Sequence, residues 1–235
     1  MIFRNHVLNA LAAEDLAALR PDLEPIDMPL RRGMATANRP IQHVYFLDSG
    51  ISSTTANLRH EIPVEVGMVG WEGVCNLPAL LGSDRTPADV YMQLPGAGHR
   101  IAVDRIRRAM AERPGITRLM LLWSYFALAQ VAGTALANNR GDVTERLARW
   151  LLMSHDRVEG DSLPLTHEFL SVMLGVRRAG VTTALRDLEH TGLVARSRGA
   201  IEVLDRKGLI ETANGFYGAP EAEAKRLIAA LAAAG

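Results

Sequence analysis

Residues Leu165 to Val194 read LTHEFLSVMLGVRRAGVTTALRDLEHTGLV. Thr166 offers a hydroxyl to cap a helix, with Glu168 in the electropositive first turn. Phe169, Leu170, Met173 and Leu174 recur at helical spacing on one face. Gly175 supplies backbone freedom for a tight turn, and Val176 can plug the angle behind it. A second helix is predicted over Arg178 to His190, with Val181, Leu185 and Leu188 inward and Gly192 closing it. Two helices crossing steeply over so short a turn make a helix-turn-helix. Residues 194–196 and 200–204, joined across Ser197-Arg198-Gly199, read as a β-hairpin. Helix, turn, helix and hairpin together predict a winged helix-turn-helix.

In a DNA-binding module of this kind the second helix sets its N-terminal residues against base edges in the major groove. Arg178 is the candidate base reader, because a guanidinium pairs bidentately with guanine O6 and N7. Thr182 and Thr183 lie one turn on, within reach of a thymine methyl or a phosphate. Thr166, His167 and Arg177 fall where the duplex backbone passes. Arg196 and Arg198 in the wing are candidate phosphate contacts, which position without specifying. The competing reading is a winged helix that binds only protein, and it predicts no salt-dependent DNA binding.

The whole chain gives no electrostatic argument for a nucleic-acid or membrane partner, since 26 basic residues cancel 26 acidic ones. A basic surface must be local. Between Leu163 and Ala200 the arginines at 177, 178, 186, 196 and 198 outnumber Glu168, Asp187 and Glu189. Cys75 is the only cysteine, which excludes an internal disulfide and a cysteine-held iron–sulfur or zinc centre. The lone thiol fits a reducing cytoplasm. The N-terminal residues lack the apolar core of a signal peptide, and Glu14 and Asp15 argue against a transit peptide.

Upstream, Leu8, Leu11, Leu16 and Leu19 predict a short helix over residues 8–20 that stops before Pro21. From Ile26 to Val103, short alternating runs (HVYFLDSG, ISSTTANL, IPVEVGMVG, ADVYMQL, HRIAVD) are separated by Gly, Pro, Asn and Asp. They predict an antiparallel sandwich or barrel, interrupted at VCNLPALLG by a short helix or turn. After Pro114 the helical period returns. Ile116, Leu119, Trp123, Phe126, Gln130, Gly133 and Ala137 form a heptad seam, either the core side of one long helix or a self-pairing face at a two-fold interface. The apolar run Leu119 to Leu136 carries Ser, Gln and Thr and is closely flanked by charge, so it reads as a buried helix and not as a membrane span. Asp142 can cap the next helix, in which Glu145 and Arg149 form an i,i+4 pair. The tail from Pro220 to Ala234 reads as a last helix, with Glu221 four residues before Lys225.

The string TxxxLxxxLGVxRxxVTxALxxLExxGLVxxxRGxIxVLDRxGL, starting at Thr166, resembles the C-terminal domain of the Crp/Fnr family of transcription regulators. HVYFLDSGISS is similar to the family's β-roll strand pair, GMVGWEGVCNLPALLG to its glycine-containing turn, and ERLARWLLMSHDRV to the helix that enters the DNA domain. The resemblance implies an α+β chain with an N-terminal antiparallel β-roll of the cyclic-nucleotide-binding type, a long dimerisation helix and a C-terminal winged helix-turn-helix. The corresponding division is 1–112, 113–140 and 141–235. It further implies a homodimer through the 113–140 helix, a palindromic site on double-stranded DNA, RNA polymerase as a partner, and no membrane.

This chain departs from the family's catabolite activator protein in both sites. That protein's recognition helix opens with an arginine, a glutamate next to it and a second arginine one turn later. Arg178 matches the first, but Ala179 and Thr183 replace the others, so the operator should differ. Its cAMP pocket uses a glutamate and, about ten residues on, an Arg-Ser pair. The candidates here are Glu72 and Arg85-Thr86, with wider spacing and with Pro87 where a small residue is expected. The effector is therefore unassigned and cAMP is doubtful. Two other readings remain at this point. One is a cyclic-nucleotide receptor of the catabolite activator type. The other is a cupin-like metal enzyme using His43, His60 and His99, whose spacing is wide and contains no HxH pair.

Overall fold

The computed structural model describes residues 3–56 and 63–232, with the side chains of residues 167, 168, 224 and 227–232 outside that description. Helices α1 (His6–Asn9) and α2 (Ala13–Leu19) open the chain, followed by a 3-10 turn over Arg20–Asp22. The single helix expected over 8–20 is thus split. Tertiary bonds set its start: Asn5 accepts from Leu8 N–H while its amide donates to Leu47 O and Gly73 O.

Eight strands follow: β1 (Glu24–Met28), β2 (Gly33–Ala35), β3 (His43–Leu47), β4 (Ile51–Ala56), β5 (Val64–Val69), β6 (Val74–Cys75), β7 (Asp89–Leu94) and β8 (Gly96–Ala102). The short helix α3 (Leu77–Leu80) interrupts them where VCNLPALLG predicted one. They form two four-stranded sheets, ordered β1-β8-β3-β6 and β2-β7-β4-β5. Strand β3 shows why the roll closes. Its side chains alternate, so Val44 and Phe46 enter one apolar cluster and Tyr45 and Leu47 enter another. The first cluster packs the sheet against Leu8, Leu19, Ile106 and Trp123. The second fills the space between the sheets with Met28, Met34, Cys75, Val90 and Met92. Burial among these pushes the Cys75 thiol up to about 12, so it stays protonated against Ser52 Oγ at 3.0 Å.

Helix α4 (Val103–Glu112) then leads into α5 (Pro114–Arg140), the long helix expected after Pro114. The second half of the chain adds α6 (Val143–His155), β9 (Ser162–Leu163), α7 (His167–Leu174), α8 (Arg178–His190), β10 (Val194–Ser197), β11 (Ala200–Val203), α9 (Arg206–Thr212) and α10 (Ala219–Ala232). Asp142 caps α6 as expected, and Glu145 closes the capping box onto the Asp142 N–H. That use of Glu145 removes the expected Glu145–Arg149 pair. Arg149 is buried and donates instead to Phe216 O and Thr134 Oγ1. Glu221 likewise accepts from Gly218 N–H at the start of α10.

The chain gathers into two compact units, one of residues 1–54, 68–128 and 223–235 and the other of 55–67 and 129–222. The linear division at 112 and 140 differs from these units, because α5 contributes to both and residues 55–67 and 223–235 fall in the unit distant from them along the chain.

The heptad seam of α5 faces its own chain. Ile116, Leu119, Trp123, Phe126, Gln130 and Ala137 are all buried, so this stripe is core and not a self-pairing face. The residues left outside are Leu121, Tyr125, Leu128, Val131 and Leu136, each at least 41% exposed. The 27-residue α5 contains an 18-residue window with a mean hydropathy of 1.5, long and apolar enough to cross a membrane. Its apolar character has a different origin here, since one whole face is spent on the core. Trp123 holds that face. Its Nε1 donates to Val74 O at 2.9 Å, and a Cβ on Gly73 would lie 1.9 Å from its ring. Trp123→Phe should therefore cost about 1–3 kcal/mol by stranding the Val74 carbonyl, read as a lower urea midpoint with near-UV circular dichroism.

Candidate nucleic-acid interface

The helix-turn-helix forms where the sequence placed it. Thr166 caps α7 by accepting from Phe169 N–H at 3.2 Å. That bond uses an acceptor lone pair and leaves the hydroxyl proton for an outside acceptor. Gly175 ends α7 with φ 61, and Val176 N–H returns to Ser171 O at 3.1 Å. A Cβ at Gly175 would lie 2.9 Å from Val64 Cγ2. Both backbone conformation and space therefore require glycine.

Helix α8 turns Val181, Ala184, Leu185 and Leu188 into the interior, all at most 2% exposed. The opposite face presents Arg177, Arg178, Thr182, Thr183 and Arg186 to solvent. Arg177 is the N-cap residue and contributes no side-chain cap, so its guanidinium and that of Arg178 project beside the unpaired N–H groups of the first turn. Thr182 Oγ1 donates back to Arg178 O at 3.0 Å, which orients its methyl group. After Gly192, β10 and β11 form the expected hairpin, in register from Val194↔Val203 to Ser197↔Ala200. The turn holds Arg198 and Gly199, the latter with φ 81.

Thr166, Arg178 and Arg196 come together around one open groove of about 410 Å³, with Ser197, Gly199 and Ala200 completing its wall. Arg177, Thr182 and Thr183 continue the exposed α8 face, and Arg198 stands at the wing tip. The His167 side chain lies outside the described residues. Arg178 and Arg198 have no side-chain partner among the described residues. Arg196 differs: its guanidinium is engaged with the Glu189 carboxylate, by Nε at 2.8 Å and by Nη2. The sequence reading missed this pair because the two residues straddle the Gly192 turn and share no helical or strand period. It also missed β9, whose Ser162 and Leu163 pair with Glu202 and Ile201 and make the wing a three-stranded sheet.

The effector candidates take separate partners. Glu72 closes back on the Gly70 N–H. Arg85 is exposed and holds its neighbour Asp84 at 2.8 Å. The Thr86 hydroxyl is buried and accepts from Ala88 N–H. For the metal reading, no group of three His, Cys, Asp or Glu is placed to hold an ion among the described residues. Burial, with Arg100 nearby, pulls the His43 imidazole below its ordinary value. His99 packs edge-on to Phe3, its Nδ1 3.0 Å from Asp48 Oδ2 but out of line for a hydrogen bond. His60 lies outside the described residues.

Residues 145–212 match the family model of the Crp-like helix-turn-helix domain. A CRP-like cAMP-activated global transcriptional regulator of Mycobacterium tuberculosis is 23% identical over 236 residues, covering 91% of this chain and 98% of that protein. Among solved structures, a transcriptional regulator of the Crp/Fnr family from Eubacterium rectale superposes with a TM-score of 0.70 at 18% identity, over 89% of this chain and 98% of the other. FixK2 from Bradyrhizobium japonicum gives 0.71 at 16% identity, over 81% and 96%.

The Gly175 turn gives a local test. Gly175→Ala should destabilise the protein by about 1–2 kcal/mol from the left-handed backbone alone, with more from the Val64 contact. Adding Val64→Ala should recover only the steric part, measured by urea unfolding of both variants.

Proposed function

We propose that the chain is a transcription regulator of the Crp/Fnr type and reads a palindromic operator as a two-fold dimer, a reading supported by the match of residues 145–212 to the Crp-like helix-turn-helix domain. The observation that carries this is Arg178: an exposed guanidinium with no side-chain partner among the described residues, at the first turn of α8, opening on the same groove as the Thr166 hydroxyl. Arg178 reads a guanine in the major groove, with Thr182 and Thr183 against the neighbouring base pairs. Arg177, Thr166, His167 and Arg198 take phosphates and set register. RNA polymerase as a further partner, and the cytoplasm as the compartment, rest on the family alone.

The second copy is recruited by the outer face of α5. Leu121, Tyr125, Leu128, Ala132 and Ala135 repeat at intervals of four and three, the spacing of a coiled-coil seam. All five are exposed in the single chain. The alanines allow close approach towards the DNA-binding end. Leu128→Glu should shift the protein from dimer to monomer in sedimentation and remove operator binding with it. A dimer that survives this change would relocate the interface.

The β-roll is the seat of any small-molecule signal, but the cAMP reading lacks its phosphate grip, since Arg85 is spent on Asp84 at the surface. Selection from a random duplex pool without added ligand tests the function directly. An enriched palindrome is expected, and a pool that stays random with and without cell-extract small molecules would overturn the DNA-binding reading. On the selected site, Arg178→Ala should cost about 1–3 kcal/mol and relax preference at one base pair. Arg198→Ala should weaken binding evenly across sequences and reduce the slope of log K against log salt by about one. Equal losses on specific and random DNA for Arg178→Ala would remove it as the base reader.

A further inference from the structure

We propose that Arg196 is a positioning residue, held by Glu189 so that the recognition helix itself fixes the wing in its DNA-binding pose. The proposal rests on the DNA-binding reading above and replaces the phosphate contact expected of Arg196. Glu189 lies in the last turn of α8, and Arg196 lies on β10, opposite Ile201 of β11. Between them the chain reverses at Gly192, with φ 75. Both Nε and Nη2 of Arg196 reach the same oxygen, Glu189 Oε2. Each group moves the other in the sense of an ion pair, the carboxyl down and the guanidinium up.

Two features make this pair a tether and not a general stabiliser. Strand β10 is the edge of the sheet ordered β10-β11-β9, so no further strand holds its outer side. An exposed ion pair contributes little to global stability, and its effect is to restrict where the edge strand stands relative to α8. The charge balance points the same way. A guanidinium that already holds a carboxylate gains less from a phosphate and releases fewer counterions on meeting one. Arg177, Arg178 and Arg198 carry no such partner among the described residues, so they are the cations left for the DNA backbone and bases.

A charge swap separates the two roles. Arg196→Glu alone should weaken binding to the selected operator by about tenfold or more, and adding Glu189→Arg should return it to within about threefold of the wild type. A phosphate contact predicts the reverse, because the swap leaves a carboxylate facing DNA and binding stays as weak as in Arg196→Glu. Salt dependence is the second readout. Arg196→Ala should keep the wild-type slope, whereas Arg198→Ala loses about one unit. Hydrogen exchange at residues 194–203 of the free protein probes the tether without DNA: faster in Arg196→Glu and restored by the swap. Unchanged exchange, or a swap that fails to restore binding, overturns the proposal. A wild type that binds no duplex while the exchange behaves as expected overturns the DNA-binding reading and leaves the tether standing.

Discussion

The bond from Trp123 Nε1 to Val74 O decides which side of α5 belongs to the core. An indole N–H buried at 7% exposure needs a partner, and the Val74 carbonyl supplies it with the ring pressed against Gly73. Nothing larger than glycine fits beneath. With Trp123 fixed, the helical period carries Ile116, Leu119, Met120 and Phe126 into the cluster of Val44, Phe46 and Ile101. The same rotation leaves Leu121, Tyr125 and Leu128 outside. One hydrogen bond thus assigns one face of a largely apolar helix to the roll and leaves the other exposed in the single chain.

The winged helix-turn-helix was the most legible part of the chain. Its signals are local and each has a mechanism: a threonine cap, a glycine at φ 61, an apolar stripe at 181, 185 and 188, and a glycine that ends the helix. The roll was legible in its strands because short β-prone runs recur between Gly, Pro, Asn and Asp, but β1 and β2 were not resolved as strands. Pro25 and the Pro29-to-Gly33 turn interrupt their pattern. The face of α5 was not legible for a physical reason. Leucine, alanine and aromatic residues occur all around the helix, so periodicity offers two seams and only packing chooses between them. The site residues divide along the same line. The positions of Thr166 and Arg178 could be read from their place on a helix, whereas the Glu189–Arg196 pair is a product of how the hairpin folds back.

Charge tells a similar story at larger scale. A chain with zero formal net charge meets a polyanion only if its basic groups are segregated, and segregation depends on which cations are already spent. Arg206 is spent on Asp156 and Tyr217, Arg149 on backbone carbonyls, Arg85 on Asp84, and Arg196 on Glu189. Among the described residues, the arginines at the start of α8 and at the wing tip hold no carboxylate. Counting basic residues along the segment therefore overstates the cations offered to DNA, and the arrangement of partners, not the composition, defines the interface.

Val64 and Glu65, at the start of β5, belong to the same compact unit as the DNA-binding helices. Glu65 is 5% exposed and accepts from Trp150 Nε1 at 2.7 Å, while Val64 stands against the Gly175 turn. Burial lowers the Arg149 guanidinium, and the charges of Glu221 and Glu65 partly offset that shift. Pulling the strand away would strand a buried carboxylate and an indole N–H at once, a cost of several kcal/mol if no water follows. Within this unit Val64 and Glu65 therefore support the turn at Gly175, three residues before Arg178.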